Sequence, residues 1–169
     1  MKCLIFSDSH GNDGAMAEAI RRNRDAEIVF FLGDGIRDAE SCFLSDVGRT
    51  WFFVLGNCDF KTDVNGDAVR KTEELILFGK KIVFTHGDLY GVKYSDSGLR
   101  TLAESRGADI VLYGHTHKPA EDFVSVDGRG VWFFNPGSLE KSYSSSESFG
   151  VLTIDEKTTL FSHGTLKKM

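Results

Sequence analysis

Seven side chains of metal-binding types follow short apolar runs of the sequence: Asp8, His10, Asp34, Asn57, His86, His115 and His117. Residues i and i+2 of an extended segment project to the same side. We therefore expect two pairs of side chains that each bind one ion, Asp8 with His10 and His115 with His117. Seven donors exceed what one tetrahedral zinc ion takes, so the set predicts two ions.

The donor types also indicate a chemistry. If one carboxylate bridges the two ions, and Asp34 is the best placed to do so, each ion receives four protein ligands. Ions about 3.5–4 Å apart can hold a hydroxide between them. Imidazole, carboxylate and amide donors without a thiolate suit Mn²⁺, Fe, Co, Ni or Zn²⁺ better than Ca²⁺ or Cu(I). We therefore expect two divalent ions per chain, with Mn²⁺ the first choice.

Each of these residues, taken alone, has an ordinary structural interpretation. Asp34 in Leu-Gly-Asp-Gly is typical of a turn, Asn57 of a left-handed residue, and His86 of a buried, hydrogen-bonded histidine. Four of the five histidines follow apolar runs, which favours a joint function. His163 has no carboxylate close in the sequence and is assigned a structural role.

Short strands and a few helices would position the donors. Helical spacing predicts helices at residues 13–24, 36–44 and 95–106. The segment ILFGKKIVF predicts a hairpin that turns at Gly79-Lys80-Lys81, and VLTIDEKTTLF predicts a second hairpin. Apolar, β-branched and aromatic runs predict strands at residues 3–6, 28–32, 51–55, 75–78, 82–84, 110–113, 131–134 and 151–154.

The order of these elements predicts an α/β fold. Two mixed sheets packed face to face, with helices on the outside, are favoured over one doubly wound sheet. Residues 1–169 would form a single domain. Pro119 and Pro136 flank donor segments and would stiffen loops, and residues 141–148, KSYSSSES, predict a surface loop.

The composition narrows the classes of partner. A net charge of −5 argues against a stable nucleic-acid complex, which needs a dense basic surface, but leaves small anionic substrates open. No apolar stretch reaches the roughly 20 residues of a membrane helix. The first apolar run has four residues, too few for a signal peptide, so we expect a cytoplasmic protein. Three separated cysteines predict no disulfide framework, and a homo-oligomer stays open.

The motifs resemble, in order and spacing, those of the calcineurin-like metallophosphoesterases. They stand here as Asp8-Ser9-His10, Gly33-Asp34, Gly56-Asn57-Cys58-Asp59, His86-Gly87 and Gly114-His115-Thr116-His117. The later Asn135-Pro136-Gly137-Ser138 resembles a turn of the small microbial phosphodiesterase branch.

That resemblance implies a four-layer sandwich of two mixed sheets flanked by helices, with a dinuclear site at one end. It assigns one ion to Asp8, His10, Asp34 and His117, and the other to Asp34, Asn57, His86 and His115. Asp34 is then the bridge.

One position departs from the family pattern. Cys58 stands where phosphatases of the family have a histidine that serves as general acid or transition-state contact. A thiol with a pKa near 8.5 donates poorly to an alkoxide at neutral pH, so Cys58 receives no catalytic role. Asp59 is the catalytic candidate, either orienting a neighbour or relaying a proton, and a partly exposed structural aspartate is the alternative. Asn12 is the candidate for a contact with a phosphate oxygen.

The predicted function is metal-dependent hydrolysis of a small phosphorylated substrate by a hydroxide held between two metal ions. A compact frame without large insertions favours phosphodiesters, with phosphomonoesters also open. Two alternatives remain: a scaffold that keeps the fold without the chemistry, as a retromer subunit of this family does, and a module that binds a phosphate ligand without turnover.

Overall fold

Twelve strands, three α-helices and one 3₁₀ helix form the part of the chain that the computed structural model describes, residues 1–141 and 146–166. In chain order they are β1 Lys2–Phe6, α1 Asp13–Arg22, β2 Ile28–Phe31, α2 Ile36–Ser45, β3 Thr50–Phe53, β4 Asp63–Val64, β5 Asp67–Ala68, β6 Thr72–Leu77, β7 Lys80–Thr85, the 3₁₀ helix Asp88–Tyr90, α3 Ser97–Arg106, β8 Ile110–Leu112, β9 Pro119–Val126, β10 Arg129–Pro136, β11 Glu147–Ile154 and β12 Thr159–Leu166. None of these described helices has the length and apolar content needed to cross a membrane.

Ten of the strands form two mixed five-stranded sheets. The first has the order β12-β11-β1-β2-β3, and the second has the order β6-β7-β8-β10-β9. Strands β1, β2 and β3 run parallel to one another, as do β7, β8 and β10. Because parallel strands end at the same edge of a sheet, the loops that follow them are brought together.

The two sheets pack face to face, as predicted. Cys3 and Ile5 of β1 lie in the core between the sheets, whereas Leu4 and Phe6 face the opposite way. Burial on both faces explains why the strand sequences are continuous apolar runs rather than alternating ones. Phe rings at the sheet interface reinforce the contact, with the Phe30 and Phe84 rings edge to face at 5.2 Å.

Helices cover the outer face of each sheet and complete the four layers. Met16 of α1 and Ile36 of α2 are buried against the first sheet. On the second sheet, Leu99 and Leu102 of α3 pack into a separate core with Val111. The α/β four-layer sandwich predicted from the sequence is therefore confirmed.

Both predicted hairpins are present, and the first turns one residue earlier than expected. Leu77 pairs with Lys80, so the turn is Phe78-Gly79, with φ of 49° and 75°. Positive φ at both central residues is the requirement of a type I′ turn. Two further hairpins, β4–β5 and β9–β10, were not predicted, although their Asn65-Gly66 and Asp127-Gly128 turns are strong hairpin signals.

The prolines lie in strands and not in loops. Pro119 begins β9 and Pro136 ends β10, and the two residues pair. Strand β9 was missed because it is an edge strand with mostly exposed polar residues and has no apolar run. The predicted loop 141–148 was too long, since Glu147 and Ser148 begin β11, while residues 142–145 lie outside the described part.

Candidate metal centre

The predicted donors follow five strands, taken from both sheets. Four of them follow β1, β2 and β3 of the first sheet, and three follow β7 and β8 of the second. Ligand atoms lie within 4.8 Å of one another in two groups, Asp8 with His10 and His117, and Asp34 with His86 and His115. Each group joins residues of the two sheets. The structure thus brings together six of the seven predicted donors.

The backbone at these donors is left-handed, which the sequence analysis did not predict. Asp8, His10, Asp34, His115 and His117 have φ between 43° and 65°. Such a conformation is uncommon for residues other than glycine, and Asp and His tolerate it better than most. Because these segments are not extended, the i, i+2 rule fails for His115 and His117, which lie in different groups. Asp8 and His10 do share a group, as predicted.

The Asp8 carboxylate has one oxygen held in place and one free. Oδ2 accepts hydrogen bonds from the Ser7 hydroxyl at 2.5 Å and from the His115 N–H at 3.1 Å. Oδ1 is buried and accepts no hydrogen bond from the described residues. The Nε2 atoms of His117, His10 and His86 lie 3.1, 3.9 and 3.9 Å from Oδ1. A buried, unpartnered oxygen among imidazole nitrogens is strongly unfavourable by itself, and a divalent cation is the partner that it fits.

His86 is oriented by the first sheet. Its Nδ1 lies 2.8 Å from the carbonyl oxygen of Leu32, so the N–H donates there and Nε2 is left as an acceptor. Nε2 is 3.3 Å from Asp34 Oδ2 and 3.1 Å from His115 Nδ1. Burial lowers the pKa of His86, but the hydrogen bond and charge of Asp34, with the charge of Asp8, outweigh it and raise the pKa. The pKa of His115 is lowered by burial and by the charge of His86.

Asp34 lies between the two groups. Its Oδ1 accepts the Cys58 N–H at 2.7 Å, while Oδ2 lies 3.3 Å from His86 Nε2 and 3.9 Å from His10 Nε2. Burial opposes ionisation of this carboxyl, yet His86 and the Cys58 N–H lower its pKa. Gly56 is required beside it, because a Cβ there would lie 2.0 Å from Oδ1. The position suits a carboxylate shared by two cations.

Asp59 orients the backbone of neighbouring loops, which is one of the roles predicted for it, and its catalytic role stays a prediction. Its Oδ1 accepts the N–H groups of Gly35 and Ile36, and its Oδ2 accepts those of Asp34 and Gly56, all at 2.8 Å. Both oxygens are thus engaged by the backbone. The carboxylate fixes the loop that carries Asp34.

Asn12 has a structural contact, and its predicted contact with a substrate stays a prediction. Its side chain is 8% exposed, and its Nδ2 donates to the Leu139 carbonyl at 2.6 Å. The amide therefore ties the segment after β1 to the segment after β10.

A sequence model of the calcineurin-like phosphoesterase superfamily domain matches residues 1–157. The chain belongs to this superfamily. Within it, the chain is 32% identical to the probable metallophosphoesterase YsnB of Bacillus subtilis, over 92% of the chain and 85% of that protein. It is 27% identical to the phosphodiesterase YfcE of Escherichia coli, over 92% of the chain and 89% of that protein.

Solved structures agree with the family assignment. A predicted phosphoesterase from Streptococcus pneumoniae superposes with a TM-score of 0.77 and 26% identity, over 97% of this chain and 88% of that one. The sequence-based assignment to the metallophosphoesterases is confirmed.

Further residues, outside the predicted set, hold the donor loops in place. Asn135 Nδ2 donates to the Gly114 carbonyl at 2.9 Å and to Thr116 Oγ1 at 3.1 Å, which supports the loop of His115 and His117. Ser138 Oγ donates to the Asp8 carbonyl at 2.9 Å. Both belong to the Asn-Pro-Gly-Ser turn noted in the sequence, which was the available signal. His163 stays structural, with its Nε2 2.8 Å from the Asn135 carbonyl.

Asn57 and Cys58 lie on the loop that contacts Asp34. Asn57 is exposed and its Nδ2 lies 3.2 Å from the Cys58 sulfur, so its role as a ligand stays a prediction. Burial, followed by the charges of Asp34, Asp59 and Asp8, raises the pKa of the Cys58 thiol. A thiol that stays protonated at neutral pH is a poor metal ligand and a poor acid.

Replacing Cys58 by Ser is expected to leave the bound metal unchanged and to reduce the hydrolysis rate by less than about tenfold. The contact with Asp34 comes from the backbone N–H, which serine retains. Metal content after dialysis and the rate on an aryl phosphodiester measure this. The reaction of the native parent protein with Ellman's reagent is the control that Cys58 is an accessible thiol. Burial raises the pKa of Cys3 to about 12 and of Cys42 to about 11, so Cys58 should be the thiol that reacts. Loss of metal in the variant would show that the thiol is a ligand.

Proposed function

We propose that this phosphoesterase hydrolyses phosphodiesters, and accepts phosphomonoesters, at a centre of two divalent cations bridged by Asp34. The observation that carries the proposal is the pair of adjacent donor groups, each with one carboxylate and two imidazoles. A relative with the printed name phosphodiesterase supports the diester class. Mn²⁺ is the first choice within the group of metals that mixed oxygen and nitrogen donors suit, with Fe, Zn²⁺, Ni and Co as the others.

Two bound divalent cations would polarise phosphoryl oxygens and acidify a water molecule. The chain's own residues prepare the positions. Ser7 and the His115 N–H hold Asp8 so that Oδ1 faces the imidazoles. The Leu32 carbonyl holds the His86 ring so that Nε2 faces Asp34. Ligands fixed in this way need little reorganisation when charge develops on the substrate.

The proposed metal centre would also explain how a negatively charged protein binds a negatively charged phosphate ester. The chain has a net charge of −5, which repels phosphate at long range. Two divalent cations would exceed the charge of Asp8 and Asp34 and make the local field positive. Binding of the substrate would therefore depend on the metal.

The surroundings of the centre favour small esters with good leaving groups. An adjoining cleft has a volume of about 270 Å³ and is lined by residues that include His10, Asp34, Arg37, Cys58 and Phe60. The raised pKa of Cys58 makes it a poor donor to a leaving alkoxide. Leaving groups such as aryl oxides need no such donor.

With Mn²⁺ added, we expect faster hydrolysis of bis-p-nitrophenyl phosphate than of p-nitrophenyl phosphate. The monoester carries an additional negative charge on the phosphoryl group, and the chain provides no histidine at position 58 to assist. The ratio of kcat/KM for the two substrates measures the preference, and excess chelator serves as the control that abolishes both rates. A monoester preference above about tenfold would overturn the diester assignment.

Metal content and turnover together separate two other functions from the proposed enzyme. A scaffold that has lost the chemistry would retain no ions after dialysis, whereas the proposed enzyme retains two per chain. A sensing module would bind metal and a phosphate ligand tightly without turnover. The two donor groups favour the enzyme over the scaffold.

A further inference from the structure

His117 is the one imidazole of the centre with a carboxylate at each ring nitrogen. Nε2 is 3.1 Å from Asp8 Oδ1, and Nδ1 is 3.1 Å from Glu140 Oε2. Glu140 was not among the predicted site residues. When Nδ1–H donates to Glu140, Nε2 keeps its lone pair and faces the same point in space as Asp8 Oδ1.

Glu140 is held by the segment that carries Asp8. The Glu140 N–H donates to Ser138 Oγ at 2.9 Å, and that hydroxyl donates to the Asp8 carbonyl at 2.9 Å. The Leu139 N–H donates to the Ser7 carbonyl at 3.3 Å. The turn therefore fixes Glu140 relative to Asp8, and Glu140 in turn meets a histidine from the other sheet.

We infer that Glu140 is a positioning residue for the cation held by Asp8, His10 and His117. Its carboxylate selects the Nδ1–H tautomer of His117, aims Nε2 at the ion and makes that nitrogen a stronger donor. Glu140 lies outside the other group, in which His86 takes its orientation from a backbone carbonyl. One ion should therefore depend on Glu140, and the other should not. The inference rests on the metal-binding part of the proposed function.

The test is titration of metal-free full-length protein with Mn²⁺ by calorimetry, comparing Glu140→Ala and Glu140→Gln with the parent. Outer carboxylates of this kind contribute about 10- to 100-fold to metal affinity. We expect Glu140→Ala to weaken one of the two binding events by that factor and to leave the other unchanged. Glu140→Gln should recover part of the loss, because its amide oxygen still accepts the Nδ1–H bond.

Two controls separate this role from general destabilisation. Glu156→Ala changes an exposed glutamate in the turn between β11 and β12 and should bind both ions as the parent does. In chelator, the melting temperatures of all variants should agree with that of the parent within experimental error, since the Glu140 side chain is about half exposed.

Unchanged affinity of both ions in Glu140→Ala, or equal weakening of both, would overturn the inference. Failure of the proposed function has a different outcome. The parent protein could bind two ions and hydrolyse no ester, while Glu140→Ala binds one of the ions more weakly. That result would support the role of Glu140 and refute the proposed enzymatic function.

Discussion

Replacing Asp34 by Asn is expected to remove at least one metal ion and nearly all phosphoesterase activity. The Asp34 Oδ2 lies 3.3 Å from Nε2 of His86 and 3.9 Å from Nε2 of His10, and these imidazoles belong to different donor groups. An amide supplies neutral oxygen and a nitrogen without a free lone pair, so it cannot serve two cations as a carboxylate does. In the proposed centre, both ions would lose a charged ligand through this one change.

Metal content after dialysis and kcat/KM on bis-p-nitrophenyl phosphate measure the effect. We expect a loss of roughly a thousandfold or more, which corresponds to about 4 kcal/mol of transition-state stabilisation. Asp122→Asn is the matched control, because Asp122 is exposed on edge strand β9 and should leave both quantities unchanged. A fully active Asp34→Asn protein would refute the bridging role.

Replacing Asp59 by Asn should unfold the protein more easily as well as weaken metal binding. Four backbone N–H groups converge on the carboxylate, and an amide turns one acceptor atom into a donor that faces two of them. Backbone N–H groups left without acceptors destabilise a fold by about 1–3 kcal/mol each, so we expect a decrease of about 2–4 kcal/mol in the free energy of unfolding. For a chain of this size the melting temperature should fall by roughly 5–15 °C.

Thermal melting in chelator and metal content in its absence distinguish the two interpretations of Asp59. Asp155→Asn is the control, because Asp155 also accepts two backbone N–H groups, but in an exposed turn. It should melt close to the parent. A variant of Asp59 that lost rate while keeping its stability and both ions would support the proton relay.

Strands and donors were predictable from the sequence for the same physical reason. The central strands are buried on both faces, so they appear as apolar runs. The first donor of each loop stands two residues beyond the end of a predicted run. Strand β9 gave no such signal because its side chains are mostly exposed. Its pairing with β10 did have a local signal that the sequence analysis did not use, the two-residue Asp127-Gly128 turn with φ of 48° and 75°.

The finer geometry of the site was not predictable, because it depends on backbone dihedrals and on long-range contacts. Spacing alone placed His115 and His117 on one face, whereas their positive φ values send them to different groups. Asp59 is 25 residues from Asp34 in the chain, and its role follows from the meeting of the two loops. Asn12 likewise meets Leu139, 127 residues away.

The division of donors between the sheets gives the metal a mechanical role. Both carboxylates follow strands of the first sheet, and three of the four imidazoles follow strands of the second. Cations bound by these residues would therefore link the two sheets. A ligand that binds only the folded chain stabilises it in proportion to the logarithm of its concentration. If the proposed centre is correct, a shortage of the metal would lower the stability of the folded protein together with the proposed activity.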